Sequence, residues 1–389
     1  MFSRRVPASF ETNALSRALR DARAAGRTIH DLTLSNPTKA GFTYPPALLA
    51  PLGAPAALTY DPSALGLPAA REAVSRDYAR RGLQVPADRI VLTSSTSEAY
   101  SLLFKVLCAA SGDAVLTPAP SYPLFEHLTR LDGVAPVPYA LEYHGRWMVD
   151  ARSVRAGWSD ATRAVLAVSP NNPTGSMLAA EDWSVLESLC ADRRAALIVD
   201  EVFADYPLPG AAGHVAATPQ AAATSLTFRL GGLSKSAGLP QVKVGWIAVD
   251  GPGDQVAGAL ERLEFVCDAY LSVSTPAQMA LAGLIEAGAG VREQIRTRIQ
   301  RNYRVLAQAA AAYPSVDVLR ADAGWSAVLR VPSRRSEEEI VLELLERDRV
   351  LVHPGFFFDF PHEAFLVLSL LPLEPEFAHA LSRLLERVA

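Results

Sequence analysis

Six short apolar runs between residues 90 and 250 constrain this chain most strongly: Ile90–Leu92, Ala114–Leu116, Ala164–Val168, Ala196–Val199, Ser225–Phe228 and Val244–Val249. They lack the sustained polar alternation of a strand with one wet face. Each reads as a strand covered on both faces, as in a largely parallel sheet. Helical patterns separate them. Ser97 to Ala110 puts Tyr100, Leu103 and Leu107 on one stripe, and Gly112 closes it. Leu67 to Arg81 carries Ala70, Val74 and Tyr78 at spacing four and ends at Gly82; Ala179 to Arg194 is a third such stretch. This alternation predicts an α/β layered domain.

The pattern changes after about residue 280. Helical stretches near 290–312, 337–347 and 376–388 flank short strands at Ser326–Leu329, Val350–Val352 and Leu366–Leu368. That predicts a smaller α+β domain over 281–389, a large cofactor-binding domain over 46–280, and residues 1–45 as an arm or part of the small domain. With 389 residues, half of them hydrophobic, the chain can bury two packed units.

Charge and composition exclude several function classes. The net charge is -4, with no basic block, so no nucleic-acid partner is expected. The seven histidines form no HExxH or HxH cluster, so no metal site is expected. Cys108, Cys190 and Cys267 are widely spaced; they read as small buried apolar residues in a reducing compartment. Charged residues interrupt the N-terminus, and Phe365–Leu373 is far shorter than the roughly 18 apolar residues of a membrane span. A cytoplasmic protein without a membrane partner is expected.

Lysine usage is the sharpest compositional clue. Of 37 basic residues only four are lysines: Lys39, Lys105, Lys235 and Lys243. Lys235 and Lys243 lie eight residues apart in one Gly-rich segment. A guanidinium cannot replace an amine that must form a Schiff base.

In open α/β sheets, ligands gather beyond the carboxyl ends of strands. Ser169-Pro170-Asn171-Asn172-Pro173-Thr174-Gly175 follows one predicted strand, Asp200-Glu201 another, Gly231-Gly232-Leu233-Ser234-Lys235 a third, and Thr93-Ser94-Ser95-Thr96-Ser97 opens a helix after a fourth. This set suits pyridoxal phosphate. The phosphate needs N–H groups at a helix N-terminus, here with the hydroxyls of Ser95, Thr96 and Ser97. The ring nitrogen needs a fixed carboxylate, Asp200. Asn172 can donate to the ring oxygen, Tyr122 can cover the ring face, and Lys235 provides the amine. Neither GxGxxG nor GxxxxGK[ST] occurs, so a nucleotide loop is not expected.

The runs Ser-Pro-Asn-Asn-Pro-Thr-Gly, Asp-Glu-Val-Phe and Ser-Lys-Ser-Ala-Gly-Leu-Pro…Lys-Val-Gly-Trp, in that order from about residue 30 to 370, resemble the class I/II aminotransferases, the aspartate-aminotransferase-like enzymes of fold type I. The resemblance implies a pyridoxal-phosphate enzyme with a mostly parallel central sheet. It further implies a homodimer with a shared active site, cofactor contacts from Ser234 and Lys243, and a reach of Tyr60 to the partner's phosphate. Several positions depart from the family pattern. Phe203 replaces a tyrosine, Gly232 a serine and Lys243 an arginine, and Asn36 stands where a glycine usually lies near the substrate. Val367 occupies the position of the arginine that binds the substrate carboxylate, and no arginine lies between Arg349 and Arg383. Either another cation (Lys39, Arg229, Arg320 or Arg330) takes that role, or the substrate lacks that carboxylate. Trp325 lines the substrate pocket or packs in the core.

The expected activity is ping-pong transfer of an amino group from an amino acid or amine to a keto acid, with Lys235 as Schiff-base and proton-transfer residue. A C–S lyase or decarboxylase on the same fold is the alternative, and a non-catalytic binding module a third reading.

Overall fold

The computed structural model describes residues 2–7, 9–109, 112–210 and 223–389. In chain order the strands are β1 (His30–Asp31), β2 (Ile90–Thr93), β3 (Ala114–Ala119), β4 (Ala135–Tyr143), β5 (Trp147–Val149), β6 (Thr162–Val168), β7 (Ala196–Asp200), β8 (Thr227–Gly232) and β9 (Gly245–Asp250). After them come β10 (Asp317–Leu319), β11 (Ser326–Arg330), β12 (Val350–Leu351), β13 (His353–Pro354) and β14 (Phe365–Ser369). Three helices matter below: α1 (Ala14–Ala24), α2 (Pro68–Arg80) and α3 (Thr96–Leu107).

A mixed eight-stranded sheet runs β2-β9-β8-β7-β6-β3-β4-β5. The pairs β4/β3, β3/β6, β6/β7 and β7/β8 are parallel. All of β7 and β8 is buried, as the predicted runs imply, and β8 buries Arg229 along with its apolar residues. Successive residues serve opposite faces. Leu166 and Ile198 pack with α3 and the helix Gly253–Asp268, whereas Val165 and Leu197 pack with the helix Ala180–Arg193.

Two strands run against the parallel order: β5, which pairs antiparallel with β4 at one edge, and β9. β9, predicted from Val244–Val249, runs antiparallel to both β8 and β2. Only the one-turn helix Leu233–Ser236 and a loop separate β8 from β9. A parallel return needs a crossover spanning the strand, so the chain doubles back instead. The helix predicted to reach Ala110 ends at Leu107, and Ala110 itself lies outside the described residues.

The second sheet, β10-β11-β14-β13, is antiparallel. The helices Ala289–Ala310 and Glu374–Val388 share one core cluster with Leu329, Leu366 and Leu368 of that sheet. The predicted strand Val350–Val352 is split: β12 pairs in parallel with β1 of the N-terminal segment, and β13 joins β14. The 290–312, 337–347 and 376–388 stretches correspond to the helices Ala289–Ala310, Glu337–Glu343 with a π-turn Leu344–Asp348, and Glu374–Val388.

Candidate active site

β2, β6, β7 and β8 all point their carboxyl ends to one edge of the large sheet, because two antiparallel pairings through β9 align β2 with β8. A cavity of about 410 Å³ opens there, closed on its other side by residues of β11, β13 and β14. Ser95, Thr96, Ser97, Tyr122, Asn172, Asp200, Ser234, Lys235, Lys243 and Trp325 all line it. The fold thus collects ten of the twelve site residues expected from sequence into one space.

α3 starts at the rim. Ser95 is its N-cap, accepting from Glu98 N at 3.2 Å, while the Glu98 carboxylate accepts from Ser94 N at 2.6 Å. Such a cap stabilises a helix by about 1 kcal/mol. The Ser95 hydroxyl proton stays free to donate, and the first-turn N–H groups face outward from the helix end. Gly245 makes this close approach feasible. A Cβ there would lie 2.9 Å from the Ser95 carbonyl carbon and 3.1 Å from Thr96 N. Lys243, two residues earlier, adopts φ +59°, the left-handed region that a side chain occupies only under constraint.

Asp200 ends β7 and is buried. Burial pushes its carboxyl up to about 6, opposed by the Tyr100 hydroxyl, which donates to Oδ2 at 2.8 Å, and by Val202 N–H at 3.1 Å from Oδ1. Tyr100 is the partner that sequence reasoning missed. Its spacing along α3 reads only as a packing stripe, yet a buried phenol needs a hydrogen-bond partner, and that is the available signal.

Lys235 sits in the one-turn helix after β8. Burial lowers its amine pKa, and Asp200 opposes the shift. Its Nζ lies 4.9 Å from the Trp325 ring centroid and 5.6 Å from that of Phe203. Its backbone is tethered: Tyr206 donates to the Lys235 carbonyl, Tyr44 to that of Gly238 at 2.7 Å, and Arg292 to that of Ser236 at 3.3 Å. Asn171 uses its side chain locally, donating to Ser121 Oγ at 3.0 Å and accepting from Thr174 Oγ1 at 3.0 Å; Asn172 is the one on the cavity wall.

Two expected residues lie elsewhere. Asn36 is spent on a local turn, accepting from Thr38 N at 3.0 Å and Thr38 Oγ1 at 2.8 Å, and its neighbours Thr33, Leu34 and Ser35 take the cavity position. Tyr60 is 70% exposed and lines a separate shallow hollow beside Tyr270. Sequence reasoning also missed His353, Phe357 and Phe358 on the far wall. Among the described residues no cluster of metal-ligating side chains occurs, and no helix is long and apolar enough to cross a membrane.

The site fits pyridoxal phosphate on its own chemistry: a buried carboxylate held by a phenol, an amine of lowered basicity, and a helix N-terminus brought close by a position where a Cβ does not fit. Comparison with known proteins agrees. The alanine aminotransferase of Mycobacterium tuberculosis is 28% identical over 374 residues, covering 93% of this chain and 86% of its own. The glutamate-pyruvate aminotransferase AlaA of Escherichia coli K12 is 27% identical over 371 residues, covering 92% and 90%. Among solved structures, a single mutant of the Thermus thermophilus aspartate aminotransferase superposes with TM-score 0.85 at 23% identity, covering all of both chains. The alanine aminotransferase of Pyrococcus furiosus gives 0.83 at 22% identity, covering 96% and 95%. The family model "Aminotransferase class I and II" matches residues 56–383, and the chain belongs to that family, a pyridoxal-phosphate-dependent aminotransferase of fold type I.

Proposed function

We propose that Lys235 is the catalytic residue of this aminotransferase, carrying the cofactor and moving the proton of the reaction. The carrying observation is that Lys235 and the Tyr100-bound Asp200 share one cavity. When bound, the cofactor supplies an aldehyde carbon and an electron-withdrawing ring. Ser95, Thr96, Ser97, Ser234 and Lys243 would hold its phosphate, Asp200 would pair with the ring nitrogen, Asn172 would donate to the ring oxygen, and Tyr122 would cover the ring. The lowered basicity of Lys235 favours the neutral amine, so Nζ can accept the proton from the substrate's amino-bearing carbon as a base and then deliver it to a different atom as an acid. Phe203 and Trp325 shield that amine from water. An amino donor and then a keto acceptor occupy the same cavity in turn, which gives ping-pong kinetics.

The same reading includes a cytoplasmic homodimer in which Tyr60 serves the partner's phosphate site, with residues 46–280 as the large domain, 281–389 as the small one and 1–45 packed as an arm against it. Contacts of α1 and β1 with the C-terminal unit support the last division.

Reduction of the cofactor-loaded protein with borohydride, followed by peptide mapping, tests the assignment. The tag is expected on Lys235. Lys235→Ala is expected to abolish the visible absorbance band and lower amino transfer by on the order of 1000-fold or more. A tag on Lys243, or a coloured and active Lys235→Ala protein, would overturn it.

A further inference from the structure

Beyond the residues proposed to hold the cofactor, the cavity lining is largely apolar: Leu34, Phe203, Trp325, Phe357, Phe358 and Val367 contribute to it, and His353 is its one further titratable member. Thr33, Ser35, Ser326 and Ser369 add hydroxyls, of which those of Thr33 and Ser369 donate to Asp31 and to the Leu34 carbonyl. His353 gives no permanent charge: burial lowers its pKa, and its Nδ1 is buried without a hydrogen-bond partner.

Four basic residues were open candidates for a substrate carboxylate, and none lines the cavity. Arg229 is buried against Glu201, 2.8 Å from its Oε1, and lies 4.7 Å over the Trp183 ring. Arg330 pairs with Asp317 at 2.6 Å. Arg320 pairs with Asp322 at 3.4 Å and donates to the Gly210 carbonyl at 3.3 Å. Lys39 is exposed in the turn Pro37–Lys39. Among the described residues, no arginine contributes to the cavity wall, and its lysines are Lys235 and Lys243. Lys243 adjoins Gly245, the residue packed on the α3 end, so it belongs to the phosphate side. Asn172 and Ser326 offer neutral donors, but neutral donors alone do not repay the hydration that a carboxylate loses on burial.

We propose that this site selects primary amines, and the matching carbonyl compounds, that carry no carboxylate on the reacting carbon, with an apolar or aromatic substituent against the Trp325–Val367 wall. The neutral His353 ring can hydrogen-bond an uncharged group there without demanding a charge. The proposal rests on Lys235 as the cofactor-bearing amine.

The experiment mixes the cofactor-loaded enzyme rapidly with 2-phenylethylamine, L-phenylalaninamide and L-phenylalanine, and follows decay of the visible band. The two compounds without a carboxylate are expected to react with second-order rate constants roughly 100-fold above that of L-phenylalanine, the worth of one unmet charged hydrogen-bonding group. L-phenylalanine reacting as fast as the other two overturns the proposal and points to a cation from a partner subunit. If none of the three discharges the band, calorimetry on the same protein decides. Tighter binding of 3-phenylpropanamide than of 3-phenylpropanoate supports the proposal, and tighter binding of the anion overturns it. A protein that never forms the band overturns the Lys235 assignment, and the proposal with it.

Discussion

Burial raises the Asp200 carboxyl from 3.8 to about 6, so the folded, cofactor-free protein holds this proton more tightly than the unfolded chain does. A carboxyl shifted upward favours folding at low pH, and that contribution disappears as pH rises from about 4 to about 6. Between pH 4.5 and 7 the cofactor-free wild type should therefore lose on the order of 2 kcal/mol more stability than Asp200→Asn. Urea unfolding of both proteins at the two pH values measures this; equal losses would contradict it. On the proposed assignment a protonated ring nitrogen pairs with Asp200 and restores charge balance, so the difference should shrink when cofactor is added. The convergence of Lys235, Asp200 and Asn172 on one cavity was readable from sequence because each lies at or within a few residues of the carboxyl end of a strand, and strand ends converge in this kind of sheet. Tyr100 and His353 were not. Tyr100 meets an acceptor 100 positions away, and local periodicity carries no information about such a contact.

Gly245 shows at the element scale why the approach of α3 to β9 is a packing device. An alanine there would press its methyl to 3.0 Å from Thr93 Oγ1 as well as 2.9 Å from the Ser95 carbonyl carbon, and the latter is backbone that cannot rotate away. Gly245→Ala should destabilise the protein by about 2 kcal/mol, as overpacked interiors do, and weaken cofactor binding more than Tm alone accounts for. Thermal unfolding with and without cofactor separates the two effects; unchanged cofactor affinity would show that the α3 end is not part of the phosphate site. The same strand shows which part of the topology is not legible in a run of residues. The run Val244–Val249 predicts a buried strand correctly, but its direction depends on the length of the connection before it rather than on the run itself. β8 likewise begins at Thr227, beyond the start of its predicted run at Ser225, because the chain still turns at Ser225. Two strands of the second sheet, β11 and β14, were legible as apolar runs, though not their antiparallel pairing. The pairing of β1 with β12 was not, since strands of two residues leave no pattern.

Across the whole molecule Leu58, Tyr60, Phe265 and Tyr270 are exposed, and Tyr60 and Tyr270 line one hollow, the kind of feature a partner subunit covers. Sedimentation is expected to give a species of twice 41.7 kDa. Tyr60→Ala should weaken cofactor binding by roughly 10-fold, the worth of one hydrogen bond to a charged group, without lowering the monomer's fold stability. A monomer at micromolar concentration, or undiminished cofactor affinity, would remove the shared-site reading. The carbonyls beside Lys235 are held by Tyr44 from the N-terminal segment, Tyr206 from the stretch after β7 and Arg292 from the long helix Ala289–Ala310. The amine therefore swings like a pendulum from a pivot bolted at three corners. Its reach is set by four methylenes, and any slippage between the N-terminal segment, the large sheet and the C-terminal helix must either drag that pivot along or unfasten one of its bolts.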